Sequence, residues 1–304
     1  MSSFVPSTLV CYGDLCADLL ARTAEMPGAG ENASLSDLRI VRGGAAANCA
    51  AAAAHSGVRV KYLGLAGRDT LGPLVVEDLR RRGIDISHIR VVEGGTGAVF
   101  VVVTPDGEHT MFSWRGVNRL AYGRLPIGLF QKGDILLLSG YSFQDDGSRT
   151  TCLELLRAAK AAGVRRALSP SFVFARDARA YFLDALASSD LLIPNAAEAR
   201  LIAGTHDLDD AAAAMHEFGP RTVVITLGTE GCLLSHDGER RRIPAQKLER
   251  VPDTTGAGDS FCGGFLGALT HGQNLEEAAH AGHAAAAHIL SGHEARATLG
   301  AFPL

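Results

Sequence analysis

Asp253-Thr254-Thr255-Gly256-Ala257-Gly258-Asp259-Ser260-Phe261 is the stretch on which the reading of this chain turns. Beyond it Phe261, Phe265 and Leu269 recur at a spacing of four, with Cys262 and Leu266 beside them, so a helix with one apolar face is expected to begin at about Ala257. The glycines then sit at the helix N-terminus. Small residues there let backbone N–H groups approach a phosphate, and the helix dipole adds about 0.3–1 kcal/mol for a nearby anion, up to about 2 when partly buried. An aspartate in that first turn, Asp259, stands where a phosphate and a second substrate would meet. As a plain capping acid it would need no substrate, and the local sequence leaves both readings open.

Working outward, apolar strands at Ile135–Ser139, Arg166–Ser169, Leu191–Pro194 and Thr222–Thr226 alternate with helical stretches near 150–162, 176–187 and 208–218. This is the pattern of βαβ units and a parallel sheet covered on both faces. Cys232–Ser235 and Arg240–Ile243, joined through Asp237-Gly238, read as a hairpin at the sheet edge. The first strand, Thr8–Tyr12, ends in Gly13-Asp14, with a second acid at Asp18. Residues 22–42 show no helical period, and Ala98–Thr104, the turn Pro105-Asp106-Gly107 and Thr110–Trp114 form a further hairpin. These pieces do not alternate with helices, so they are assigned to a small accessory β-sheet. Between them Gly43-Gly44-Ala45-Ala46-Ala47-Asn48 opens an alanine helix that runs to His55 and stops at Gly57.

Whole-chain properties narrow the function classes. Among 304 residues, 33 acids against 29 Lys plus Arg give a net charge of −4, with no basic excess to attract nucleic acid or anionic lipid. Every apolar run is broken well before the ~18 residues a membrane span needs. Met1-Ser2-Ser3-Phe4-Val5-Pro6 lacks the basic start and apolar stretch of a signal peptide, so a cytoplasmic protein is expected. Cys11, Cys16, Cys49, Cys152, Cys232 and Cys262 form no Cys-x-x-Cys pair and read as buried thiols. His280, His283 and His288 crowd one C-terminal helix without metal-ligand spacing.

Asp253-Thr254-Thr255-Gly256-Ala257-Gly258-Asp259 resembles the C-terminal signature of the ribokinase (PfkB) family of sugar and nucleoside kinases, and Gly43-Gly44 with Asn48 resembles its N-terminal signature. Pro194-Asn195-Ala196-Ala197-Glu198 is similar to the family's Asn-x-x-Glu motif, and Thr226-Leu227-Gly228 with Gly231 to its nucleotide-binding strand end. The resemblance runs in order from residue 8 to about 298. It implies a three-layer α/β/α ribokinase-like core with a mostly parallel central sheet, in a single domain over 1–304, with a discontinuous β-sheet lid from about 13–43 and 96–115.

The resemblance also implies roles. Asp259 would accept the hydroxyl proton during in-line attack on the γ-phosphate of ATP, with the N–H groups of Gly256, Ala257 and Gly258 as the anion hole. Asn195 and Glu198 would organise Mg²⁺, Glu198 through water, although Asn195 as helix cap with Glu198 in a capping box describes the same residues. Thr226, Gly228, Gly231 and His283 would line the nucleotide groove, and Asp253 and Thr255 would hold a K⁺ ion. Asp18, Gly43, Gly44 and Asn48 would bind substrate hydroxyls, which suits a polyol because a carboxylate accepts and an amide both donates and accepts. Asp14 lies off the familiar pattern. Phe112 and Trp114 share one strand face, where packing and substrate contact are both open. The reaction implied is ATP plus a free sugar, or a nucleoside as a sugar-bearing alternative, in a homodimer paired through its lids.

Three rivals are weighed against this. A sugar phosphate would demand basic residues in the acceptor pocket, for which Arg42 and Arg115 are the nearby candidates. A dinucleotide-binding oxidoreductase would want Gly-x-Gly-x-x-Gly after the first strand, where Gly13-Asp14-Leu15-Cys16-Ala17-Asp18 stands. A non-catalytic sugar-binding regulator would be expected to lack the base or the anion hole. One departure from the family concerns substrate choice: Ser169-Pro170-Ser171 stands where many sugar kinases carry Asp-Pro.

Overall fold

The computed structural model describes residues 7–106, 108–177, 179–248, 251, 254–291 and 299, with side chains described except at 177 and 179–182. In chain order the strands and helices are β1 (Leu9–Tyr12), β2 (Cys16–Thr23), β3 (Leu35–Gly43), α1 (Ala45–His55), β4 (Val60–Gly67), α2 (Leu71–Arg81), β5 (Asp85–Val92), β6 (Gly97–Val103), β7 (His109–Trp114) and β8 (Ile135–Ser139). There follow α3 (Asp146–Ala161), β9 (Arg165–Ser169), α4 (Phe172–Asp177), α5 (Arg179–Ala187), β10 (Leu191–Leu192), α6 (Ala196–Ala203) and α7 (Leu208–Glu217). The last are β11 (Thr222–Thr226), β12 (Cys232–His236), β13 (Glu239–Ile243), α8 (Ala257–Thr270) and α9 (Leu275–Leu290).

Nine strands form one sheet in the order β13-β12-β11-β10-β9-β8-β1-β4-β5. From β11 to β5 all neighbours are parallel, and only the terminal hairpin of β12 and β13 is antiparallel. The period-2 geometry of a strand splits its side chains between two cores. Leu9, Cys11, Ile135 and Leu137 face one, with Ala47 of α1, Leu79 of α2, Phe265 of α8 and Ala279 of α9. Val10, Tyr12, Leu136 and Leu138 face the other, with Leu155 of α3, Phe174 of α4, Ile202 of α6 and Met215 of α7. The three-layer core is therefore as expected. All six cysteines are buried and unbridged.

The second sheet, β3-β2-β6-β7, is the lid, and its strands fall within 13–43 and 96–115. β2 pairs antiparallel with β3 and parallel with β6, and β6 with β7 forms the expected hairpin.

Three expectations need correction. Sequence analysis assigned no strand between Gly57 and Gly95, and the structure has β4 and β5 there. Nearly all of β4 is buried, so it has no polar alternation, and its Gly64 and Gly67 read as turn signals. Gly67 is small for a packing reason: a Cβ there would lie 2.3 Å from the Thr96 backbone nitrogen. The strand expected over Leu191–Pro194 pairs only at Leu191–Leu192, followed by a single bridge from Asn195 to Thr226. The helical stretch expected near 176–187 begins earlier, at Phe172, and its described residues run as α4 and α5 to Ala187 on either side of residue 178, which lies outside the described residues.

Candidate active site

Helices α1 and α8 pack through glycine. A Cβ on Gly263 would lie 2.3 Å from the Cys49 carbonyl oxygen, so the two backbones approach more closely than any larger residue would allow. That approach brings the first turn of α1 to the first turn of α8. Asn48 Nδ2 donates to Asp259 Oδ2 at 2.8 Å across 211 residues of sequence. The cap of α8 is Gly256, in a left-handed conformation (φ 81°), and Asp259 lies two residues beyond Ala257 with its carboxylate turned to Asn48. The N–H of Ala257 leans back to the Thr254 carbonyl at 3.3 Å, whereas the N–H of Gly258 belongs to the first turn, which has no intrahelical acceptor. A Cβ on Gly258 would meet nothing within 4 Å, so the turn faces open space.

On the acceptor side, a Cβ on Gly43 would lie 1.7 Å from Asp18 Oδ1, and one on Gly44 2.0 Å from the Asp14 carbonyl. Gly44 also takes φ 94°, which favours glycine. Asp18, 7% exposed, thus lies directly on the Gly43-Gly44 turn that leads to Asn48. Arg42 is engaged: its Nε donates to Asp78 Oδ2 at 2.7 Å and its Nη1 to Asn48 Oδ1 at 2.6 Å.

Asp14 is also engaged. It takes a two-pronged bond from Arg115, Nη2 to Oδ1 at 2.7 Å and Nε to Oδ2 at 2.8 Å, while Arg115 Nη1 donates to Asp145. Burial pushes the Asp14 carboxyl above its ordinary range, and the Arg115 guanidinium opposes that rise. Asp145 occupies the N-cap position of α3, yet its side chain caps nothing. Asp207 and Asn274, at the same position of α7 and α9, each accept two backbone N–H bonds. Such a cap is worth about 0.5–2 kcal/mol, which Asp145 forgoes by turning to Arg115.

Sequence reasoning missed Tyr141, in the short turn Gly140–Phe143 after β8. Its neighbours Gly140, Ser142 and Phe143 are buried, but Tyr141 is 39% exposed. Burial raises its phenol pKa, and the charges of Asp259, Glu198 and Asp14 raise it further. An apolar strand followed by Gly-Tyr was the available signal.

On the nucleotide side, Asn195 and Glu198 form a full capping box on α6: Glu198 N–H to Asn195 Oδ1 at 2.9 Å, and Asn195 N–H to Glu198 Oε2 at 3.0 Å. Glu198 is 8% exposed, and burial, with Asp259 adding to it, pushes its pKa up to about 7 against the Asn195 N–H bond. Thr226 ends β11, and Leu227 N–H bonds the Gly231 carbonyl at 2.8 Å around Gly228. Thr226, Gly228 and Gly231 line a cavity of about 480 Å³ with Ala257, Gly258, Phe261 and His283, whereas Asn195 and Glu198 are not among its lining residues. His283 lies 4.9 Å from Phe261, ring to ring, and burial lowers its pKa. A larger groove of about 890 Å³ lies at the opposite, amino end of the strands, around Arg165 and Arg221, and contains none of these residues.

Asp253 lies outside the described residues; Thr255 Oγ1 is 3.5 Å from His109 Nε2 at the tip of the lid. Phe112 and Trp114 do not pack into a core. They are 60% and 58% exposed, the edge of the Trp114 ring lying over Gly95. Among the described residues no three acidic, His or Cys side chains converge as a protein-only metal cage, and no helix is long and apolar enough to cross a membrane.

Comparison with known proteins places this arrangement. The chain is 30% identical over 295 residues to a ribokinase of Haemophilus influenzae, covering 92% of this chain and 91% of the relative. It is 31% identical over 252 residues to a cytidine kinase of Thermococcus kodakarensis, covering 82% and 87%. The structure of Arabidopsis thaliana ribokinase complexed with ribose and ATP superposes with a TM-score of 0.79 at 26% identity, covering 94% of this chain and 93% of that one. Residues 6–300 match the family model described as pfkB family carbohydrate kinase. With its ribokinase-like fold, the chain belongs to the pfkB family of carbohydrate kinases, phosphotransferases whose acceptor is an alcohol group.

Proposed function

We propose that the protein transfers the γ-phosphate of ATP to a hydroxyl of a free sugar, with Asp259 as general base. The observation that carries this is the 2.8 Å bond from Asn48 to Asp259, which joins the motif expected to hold the acceptor to the motif expected to hold the phosphate. Asp18, Gly43, Gly44 and Asn48 bind and orient the acceptor. Asp259 takes the proton from its hydroxyl, and the α8 N-terminus stabilises the charge that develops on the transferred group. A non-catalytic regulator would have no need to couple the two motifs. Ribokinase and cytidine kinase relatives of similar identity support a sugar-bearing acceptor and keep a nucleoside as the second reading.

The residues present fit ATP and Mg²⁺. A Cβ at Gly228 or Gly258 would meet nothing within 4 Å, so both leave room at the cavity for a nucleotide and its phosphates. Burial first, and Asp259 after it, raises the Glu198 carboxyl, and a divalent cation beside it would favour its ionised form. ATP supplies the phosphoryl group, and Mg²⁺ neutralises its oxygens while keeping much of its own hydration. Asn195 and Glu198 would hold the metal's waters, and Thr226, Gly228, Gly231 and His283 would bound the nucleotide.

The lid supports a homodimer. Its two opposite edge strands expose Leu35 and Leu38 on β3 and Met111, Phe112 and Trp114 on β7, and the β7 edge, with the larger apolar side chains, is suited to a second lid. A cytoplasmic location accords with the use of ATP. ADP release measured against a panel of sugars and nucleosides, with Asp259→Asn as control, tests the function. Turnover with no member of either class would refute it.

A further inference from the structure

Two arginines border the acceptor side, and both guanidinium groups are engaged by protein acceptors. Arg42 is held by Asp78 and Asn48. Arg115 has five N–H donors. Two go to Asp14, one to Asp145 and one, at 3.4 Å, to the Asn118 carbonyl, so four are engaged. Asp14 carries Arg115 to the substrate turn, since the Asp14 carbonyl lies against Gly44.

The two carboxylates on Arg115 differ in exposure. The Asp14 side chain is 9% exposed and belongs to the interior, whereas that of Asp145 is 41% exposed. An interior ion pair explains Asp14. It does not explain why an aspartate at a helix N-cap leaves the helix uncapped to close the outer edge of an arginine that Asp14 already pairs.

We propose that Asp145 is a specificity-determining residue: with Asp14 behind it, it withholds Arg115 from anionic acceptors, so that the site takes polyols free of carboxylate or phosphate. The inference rests on the acceptor assignment above. An anionic acceptor would have either to displace Asp145 from Arg115 or to lie near Asp18 and Asp259 without the Arg115 Nη1 edge to offset them. Replacing Asp145 uncovers the Nη1 edge and removes one negative charge, so anions gain over neutral sugars.

Calorimetry with matched probes tests this: ribose against ribonate, and fructose against 2-ketogluconate, in the wild type, Asp145→Asn and Asp145→Ala. 2-Ketogluconate keeps the hemiketal ring of fructose and differs from it by a carboxylate, whereas ribonate also loses the ring of ribose, so the change of ratio between wild type and variants is the readout. Neither acid is a product of phosphoryl transfer. In the wild type each acid is expected to bind at least about tenfold more weakly than its sugar, and in both variants the acid-to-sugar affinity ratio rises by about tenfold or more, the scale of one charge-assisted hydrogen bond. A ratio unchanged in variants that melt as the wild type does, or a wild type that binds an acid as tightly as its sugar, overturns the proposal while leaving the kinase reading intact. Binding of neither member of either pair, to any of the three proteins, overturns the acceptor assignment and the proposal together.

Discussion

Asp259→Asn separates catalysis from architecture because the structure keeps the two energies apart. The carboxylate accepts from Asn48 at 2.8 Å, and an asparagine oxygen can accept the same N–H. The structural change is thus from a charge-assisted to a neutral hydrogen bond, a loss of about 1 kcal/mol. Losing a positioned base costs roughly 10²–10⁴-fold in turnover, about 3–5 kcal/mol at 1.36 kcal/mol per decade. The catalytic loss exceeds the structural one severalfold, so a folded and nearly inactive protein is expected. ATP affinity should hold or improve, since a negative charge near a polyanion is removed. Steady-state ADP release, with thermal melting as the folding control, measures both. A capping role predicts a stable and active variant, because asparagine caps as well as aspartate. Near-normal turnover in folded Asp259→Asn would refute the general-base assignment.

Glu198 gives a pH prediction. Its folded pKa of about 7 is raised above the ordinary glutamate range, so it favours the folded metal-free protein at low pH and loses that contribution as pH rises through about 7. Metal binding needs the ionised form, so Mg²⁺ affinity should climb with one-proton dependence through the same range; Glu198→Gln should abolish that dependence and melt higher than the metal-free wild type at alkaline pH. Titrations in which the variant retains the pH profile would exclude Glu198 as its source. Gly43→Ala places a Cβ 1.7 Å from Asp18 Oδ1 and should raise the acceptor KM far more than the ATP KM; equal effects on both would count against the acceptor assignment. Phe112→Lys with Trp114→Lys should shift sedimentation from dimer to monomer, and a wild type that sediments as a monomer at micromolar concentration would dismiss the lid-paired dimer.

What was legible in the sequence was whatever local pattern encodes. The start of α8 followed from a fourfold apolar spacing, the end of α1 from Gly57, and β6 and β7 from a turn between apolar runs. β4 was not legible, because a strand buried on both faces has no alternation, and its glycines answer to packing against Thr96 rather than to a turn. The chemistry-bearing motifs could be recognised one by one, but their junctions could not. Asn48 meets Asp259 across 211 residues and Asp14 meets Arg115 across 101, and no spacing rule reaches so far. Tyr141 follows an apolar strand through a glycine, a weak signal on its own, because a tyrosine there reads equally as one more core residue until its exposure is seen. Asp145 was hidden by the opposite effect, since an aspartate before a helix is ordinarily explained by the helix.

The glycine contact between α1 and α8 bears on how such an enzyme could change its preference. Because Gly263 lies against the Cys49 carbonyl, the span from the Asn48 amide to the Asp259 carboxylate is fixed by main chain and by the absence of a side chain. Substitutions elsewhere in the pocket cannot stretch it without parting the helices. Phe112 and Trp114, in contrast, stand exposed on β7 of the lid, where side chains exchange at little cost to the core. Under the proposed assignment the reacting end of the cleft is therefore a constant gauge and the lid end an adjustable jaw. Drift toward a larger or smaller acceptor should collect in the lid strands and the loops beside them, leaving the seam between the two helices as the most slowly changing part of the chain.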